Sequence, residues 1–130
     1  IGSMTDPVKL KAKDVKSTRL ALLEAQGWKC AICQLPCDEE KAVLDHCHKG
    51  GHVRAVLHRS CNAVEGKIIN SLRRFGIKDA DSFLRNLVEY HLFHSENRTG
   101  LIHPIHKTEE EKRELAKKRA KKKRDAAKDK

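Results

Sequence analysis

The chain has 130 residues, a formal net charge of +10 and a sequence pI near 9.6, so a polyanionic partner is favoured over a neutral or acidic one. No apolar run approaches the roughly 18 residues of a membrane span and no signal peptide is visible, which leads to the expectation of a soluble, intracellular protein with no membrane partner. Five cysteines is an odd number, which excludes a complete disulfide framework within one chain and turns attention to metal binding.

Ile1-Gly2-Ser3 ahead of Met4 reads as the remnant of an expression tag, and residues 1–13 as that remnant followed by a loose leader. Ser17 to Gly27 is predicted to be a short helix, with Ser17 or Thr18 as cap, Leu20, Leu23 and Ala25 apolar, and Gly27 past its end. Lys29 to Cys37 is a tight turn. Lys41–His46 and Val53–Leu57 are short strands, and Gly50-Gly51 between them makes a hairpin. Ser60 to Gly76 places Val64, Ile68 and Leu72 at four-residue spacing and stops at Gly76, a helix despite the internal Gly66.

Asp79 to His94 repeats the helical pattern with Phe83, Leu84, Leu87, Val88 and Leu92 on one face, and Asp79 or Asp81 can cap it. After a loop, Thr108 and Glu111 open a charged stretch, residues 107–130, whose only large apolar residue is Leu115. Nothing in that stretch can form a core, so it reads as a lone helix or a disordered tail. From Leu115 to Lys130, nine Lys or Arg stand against Asp125 and Asp129. The fold class is α+β and mostly helical. With one Trp, one Tyr and three Phe its core is thin, and a metal staple or dimerisation would support it.

Two chelating pairs flank the hairpin: Cys30-x2-Cys33 and His58-x2-Cys61. A two-residue gap lets one turn aim both side chains at one point, and two such pairs supply the four ligands of tetrahedral zinc. Cys37, on a turn made by Pro36, can reach the same centre, so Cys37 or Cys47 stays open as an alternative to His58. A structural zinc contributes folding energy on the order of 10 kcal/mol, and with four protein ligands it keeps no open position for chemistry.

That leaves Asp45, His46, Cys47 and His48 at the end of the first strand, with Asn62 in the first turn of the next helix. Oxygen donors from Asp45 and Asn62 suit a hard ion, Mg²⁺ or Mn²⁺, better than zinc. Histidine titrates near neutral pH, so His46 is placed to act as general base. A hard metal beside a histidine in a basic protein fits phosphodiester hydrolysis.

CAIC, LDHCHKGGHVRAVLHRSCNAVEG and the helix that follows resemble the phage recombination endonuclease VII family of ββα-metal (HNH-like) nucleases, over about Leu20 to Pro104. The resemblance implies a ββα-metal core within residues 14–106, stapled by zinc and carrying a helical dimerisation region. It implies that Asp45 and Asn62 hold the divalent ion, that His46 deprotonates the attacking water, that His48 orients the scissile phosphate and that Glu65 lies close to the metal. It further implies 5′-phosphate and 3′-hydroxyl ends, branched DNA such as four-way (Holliday) junctions as substrate, and a homodimer built on helices, for which Asn70–Arg74 and Phe83–Phe93 are the candidates. The setting would be the cytoplasm of an infected or bacterial cell.

Two departures stand out: His58 occupies the place of a third zinc cysteine, and Cys47 replaces an acidic residue and reads as a strand spectator. Arg54, Arg59 and Lys67 flank the site as candidate phosphate contacts, and no helix carries a base-reading pattern, so backbone and shape recognition is expected. Because the chain ends in a basic run where longer family members carry more folded sequence, a nickase acting on duplex DNA is a close competitor. A non-catalytic zinc-stapled DNA-binding module is the reading from a different class.

Overall fold

The computed structural model describes residues 6–129, and the tag remnant lies outside them. The chain divides into two compact units, Ile1–Leu84 and Arg85–Lys130. No helix among the described residues is long and apolar enough to cross a membrane.

Helix α1 spans Val15–Ala25 and starts two residues earlier than the sequence suggests, because a 3-10 turn at Ala12–Asp14 runs directly into it. Ser17 does not cap. Its hydroxyl donates to the Asp14 carbonyl, one turn back. The C-terminus is closed by Gly27, whose φ of +69° lets its N–H reach the Glu24 carbonyl while the Trp28 N–H reaches Leu23. This Schellman closure drops Leu23 into the core.

Strands β1 (Ala42–His46) and β2 (Val53–His58) form one antiparallel hairpin. Ala42 pairs with His58, Val43 with Leu57 and Leu44 with Val56, but His46 pairs with Val53. One residue of β1, Asp45, thus stands opposite two of β2, Arg54 and Ala55, which is a β-bulge. The sequence pattern predicts the hairpin and misses the bulge.

The far edge of β2 is not left to water. Gln26, just past α1, accepts the Val56 N–H at 2.8 Å, and its amide nitrogen donates to the carbonyls of Val56 and Lys29, both at 2.9 Å. One side chain thereby replaces a neighbouring strand along a fully buried residue.

Helix α2 (Arg59–Arg74) follows β2 without a loop and ends at Gly76, whose φ is +79°, with the Ile77 N–H on the Leu72 carbonyl. The core is small: Leu23, Cys30, Cys37, Ala42, Val56 and Leu57. Of the apolar stripe on α2 only Leu72 is buried, while Val64, Ile68 and Ile69 are each at least 40% exposed.

Helix α3 (Ala80–Phe93) is capped by Asp79, which accepts the Ser82 backbone N–H and hydroxyl; both bonds hold its carboxyl below the usual carboxylate range. No residue of α3 is buried.

Helix α4 (Glu109–Lys128) settles the charged stretch as helix. Thr108 accepts the Glu111 N–H, Glu109, Glu110 and Glu111 fill the first turn, and the lysines follow, so the charge order matches the helix dipole. Exposed pairs Lys112–Glu109 and Lys117–Glu114 add little each.

Replacing Gln26 with Ala leaves the buried Val56 N–H unpaired, while the Val56 carbonyl keeps the Ala31 N–H at 3.2 Å, and is expected to cost about 1–3 kcal/mol in a denaturant titration, with folding otherwise retained.

Candidate functional site

The Cys30–Cys33 knuckle, the last residue of β2 and the first turn of α2 bring Cys30, Cys33, His58 and Cys61 together, with their ligand atoms all within 4.8 Å of one another. Strand β2 runs one residue further than expected, so His58 ends the strand and N-caps α2 at once. Its Nδ1 lies 3.3 Å from the Cys33 sulfur and 3.9 Å from that of Cys61. The other ring nitrogen, Nε2, is 2.9 Å from the Pro36 carbonyl, which can only accept. That contact fixes the proton on Nε2 and turns the Nδ1 lone pair toward the sulfurs, the arrangement a metal-ligating histidine needs.

The knuckle also tunes the thiols. Burial opposes ionisation of Cys30, but the His58, Cys33 and Ile32 N–H groups outweigh it and hold the thiol down at about 6. Burial, together with the sulfurs of Cys33 and Cys30, pushes Cys61 up to about 11. Three sulfurs and an imidazole crowded this closely compete for the same positive charge, and a divalent cation supplies it. The donor set fits zinc and can hold it as a structural staple.

Cys37 and Cys47 stand apart from this cluster. Cys37 is buried in the apolar core, its thiol 3.7 Å from the Asp38 carbonyl, and burial pushes it toward the neutral form. Cys47 is not on a strand: it opens the hairpin turn, where its N–H donates to the His52 carbonyl and its sulfur accepts the Gly50 N–H at 3.4 Å. Those amides, Gly50 first and Lys49 next, lower its pKa.

The second group of residues lies at the bulge. Asp45 is 6% exposed and is the one polar residue buried in the core region among the described residues. The Arg54 Nε donates to its Oδ2 at 2.7 Å, while the Arg54 Nη2 lies 3.4 Å from Oε1 of Glu65 on α2. Asp45's hydrogen bond, followed by the nearby Asp45 and Glu65 charges, raises the Arg54 pKa against the cost of its partial burial. Arg54, expected as a phosphate contact, bridges two carboxylates in this structure.

Asn62 is half-buried in the first turn of α2 and stands three residues before Glu65, so the two share a helix face. His46 and His48 are exposed at the end of β1 and in the turn, with ring centroids 5.0 Å apart. Arg59 and Lys67 are exposed on α2, and His52, His91, His94, His103 and His106 are surface residues.

A guanidinium spanning Asp45 and Glu65 marks the place where these two carboxylates converge as one that attracts a cation. The oxygen donors of Asp45, Asn62 and Glu65 are the kind Mg²⁺ or Mn²⁺ takes, so the residues fit a hard divalent ion. The Asp45–Arg54 contact carried no sequence signal, because a turn at Gly50-Gly51 would set Asp45 against Val56. Gln26 carried none either, since its partner is backbone 30 residues away.

Among known proteins, the model of the recombination endonuclease VII family matches residues 7–92. No curated protein matches.

Elemental analysis of the purified chain should return one zinc per molecule. Cys61→Ser and His58→Ala should lose it and unfold at markedly lower temperature, whereas Cys37→Ser and Cys47→Ser should keep it. Loss of zinc from Cys37→Ser in a folded sample would show the wrong fourth ligand.

Proposed function

The chain belongs to the recombination endonuclease VII family, and from that premise we propose that it is a metal-dependent DNA endonuclease hydrolysing phosphodiester bonds at the Asp45–His46–Asn62 site. The observation that carries this reading is the convergence of Asp45 and Glu65 on one guanidinium, with His46 the next residue of β1 after Asp45. The cluster at Cys30, Cys33, His58 and Cys61 supports it by tying the start of α2, and with it Asn62, to the hairpin.

Asp45 and Asn62 would hold the divalent ion, with Glu65 close by; when bound, that ion supplies positive charge for the phosphate oxygens and the leaving 3′ oxygen. His46, exposed at the strand end, takes the proton from the attacking water, and the water oxygen forms the new bond to phosphorus. His48, on the turn and 5.0 Å from His46 between ring centres, orients the scissile phosphate. The products carry 5′-phosphate and 3′-hydroxyl ends. Zinc in this reading is scaffold and takes no part in the reaction.

We place the nuclease domain at residues 14–106 and the basic segment at 107–130. Arg59 and Lys67, exposed on α2, lie on the route of a bound phosphate backbone. The substrate class is branched DNA, and two paired cuts in a junction require two active sites, hence a homodimer. The uncovered apolar residues Val64, Ile68 and Ile69 on α2, and separately Phe83, Leu87 and Val88 on α3, support a helical dimer contact. The setting is intracellular, in a phage-infected or bacterial cell.

One observation favours a nickase acting on ordinary duplex: α4 carries a single large apolar residue, Leu115, and is rich in lysine, suited to phosphates of any sequence. A zinc-stapled DNA-binding module without catalysis is opposed by the buried Asp45 and its carboxylate neighbour.

Incubation with Mg²⁺ and a four-way junction should give symmetric paired cuts. Nicked circles from supercoiled plasmid with no junction preference would establish the nickase instead, and no cleavage under any divalent ion would leave the binding module. His46→Ala and Asn62→Ala should keep fold and zinc while cleavage falls at least about 100-fold; full activity in both would sink the site assignment. Deleting residues 115–130 should weaken DNA binding and flatten its salt dependence.

A further inference from the structure

By its place in the sequence Arg54 is a candidate phosphate contact alongside Arg59 and Lys67. Its contacts are more specific. The bulge sets Arg54 and Ala55 opposite Asp45, so β2 delivers the guanidinium across the hairpin onto a carboxylate that is almost wholly buried. The same guanidinium reaches α2 at Glu65, whose side chain is 24% exposed. No other cation pairs with Asp45 or Glu65 among the described residues. Two carboxylates from different elements, drawn to one point with little water around Asp45, repel each other unless a positive charge stands between them.

We propose that Arg54 is a positioning residue: an internal counter-ion that holds Asp45 and Glu65 converged and competes with the divalent cation for Asp45, so that it sets the protein's cation affinity. This rests on the reading of Asp45 as a ligand of that cation. The planar fork is what allows one side chain to serve both carboxylates, through Nε on Asp45 and Nη2 on Glu65. Lysine presents a single point charge and can neutralise one of them at a time.

The competition has a definite sign. A divalent ion entering beside Asp45 meets the repulsion of a fixed guanidinium and must take an oxygen from it. Removing that charge makes the place more negative and frees the oxygen, so cation binding tightens even as the cation-free protein loses stability. A residue whose role is only to hold the hairpin together would show the second effect without the first.

The test is Mn²⁺ titration of the full-length, zinc-loaded protein in the absence of DNA, by calorimetry and by the Mn²⁺-induced rise in melting temperature. Arg54→Gln should bind Mn²⁺ about tenfold more tightly than the parent, melt lower without Mn²⁺ and gain more from it. Arg54→Lys should fall between the two, and it decides the matter should Arg54→Gln not fold. Asp45→Asn separates the two readings. If Asp45→Asn abolishes Mn²⁺ binding and the Arg54 variants bind no more tightly than the parent, Arg54 is not the competing counter-ion. If Asp45→Asn binds Mn²⁺ as the parent does, the metal-site reading itself is wrong and the inference falls with it.

Discussion

The convergence of four donors, two from a knuckle and two from the junction of β2 and α2, is the constraint on which everything else in the first unit depends. The apolar core beside it holds six residues, two of them cysteines, and so small a core stabilises a fold weakly. A closed Cys3His site concentrates in one place the cohesion that a larger domain spreads over many side chains. It also determines direction. Because His58 is at once the last residue of β2 and the N-cap of α2, the helix axis is set by the same atom group that closes the cluster. The Pro36 carbonyl on His58 Nε2 completes this by fixing the ring's orientation.

Two further devices make that hub rigid. Gln26 satisfies both polar groups of the Val56 peptide and so joins α1 to the hairpin without a third strand. The Gly27 and Gly76 closures then stop α1 and α2 where their last apolar residues, Leu23 and Leu72, can be buried. Cohesion is therefore polar and local around a minimal apolar centre, and long apolar stripes on α2 and α3 are left uncovered. An apolar stripe at helical spacing shows which face of a helix is sticky, not that the same chain covers it.

The bulge at Asp45 gives the hairpin a second role. Regular pairing would keep one residue of β2 against Asp45; the extra residue turns the ladder so that Arg54 meets Asp45 and extends to Glu65. Staple and carboxylate site share α2, through Cys61 in its first turn and Asn62 and Glu65 just beyond. On α2 the two groups lie within four residues of each other, from Cys61 to Asn62 and Glu65, yet differ in donor type: sulfur and nitrogen on one side, oxygen on the other. That difference in donor hardness separates the Cys3His cluster, whose donors suit zinc, from the oxygen donors beside it.

Spacing and residue type by themselves determined the helix–knuckle–hairpin–helix–helix order, the two candidate chelating pairs flanking the hairpin, and the family, because each rests on contacts a few residues apart or on motifs that survive as strings. The cap of α3 was narrowed to Asp79 or Asp81, and the charged stretch was left as helix or disorder, since neither choice is decided locally. Only the tertiary structure put His58 in the four-donor cluster and Cys37 outside it in the core, as both lie within reach along the chain. It alone showed Gln26 on Val56, the bulge, and Arg54 between Asp45 and Glu65. These depend on strand register and on where a helix axis passes, and a one-residue shift in pairing, invisible in composition or period, aims the Arg54 side chain at the carboxylates.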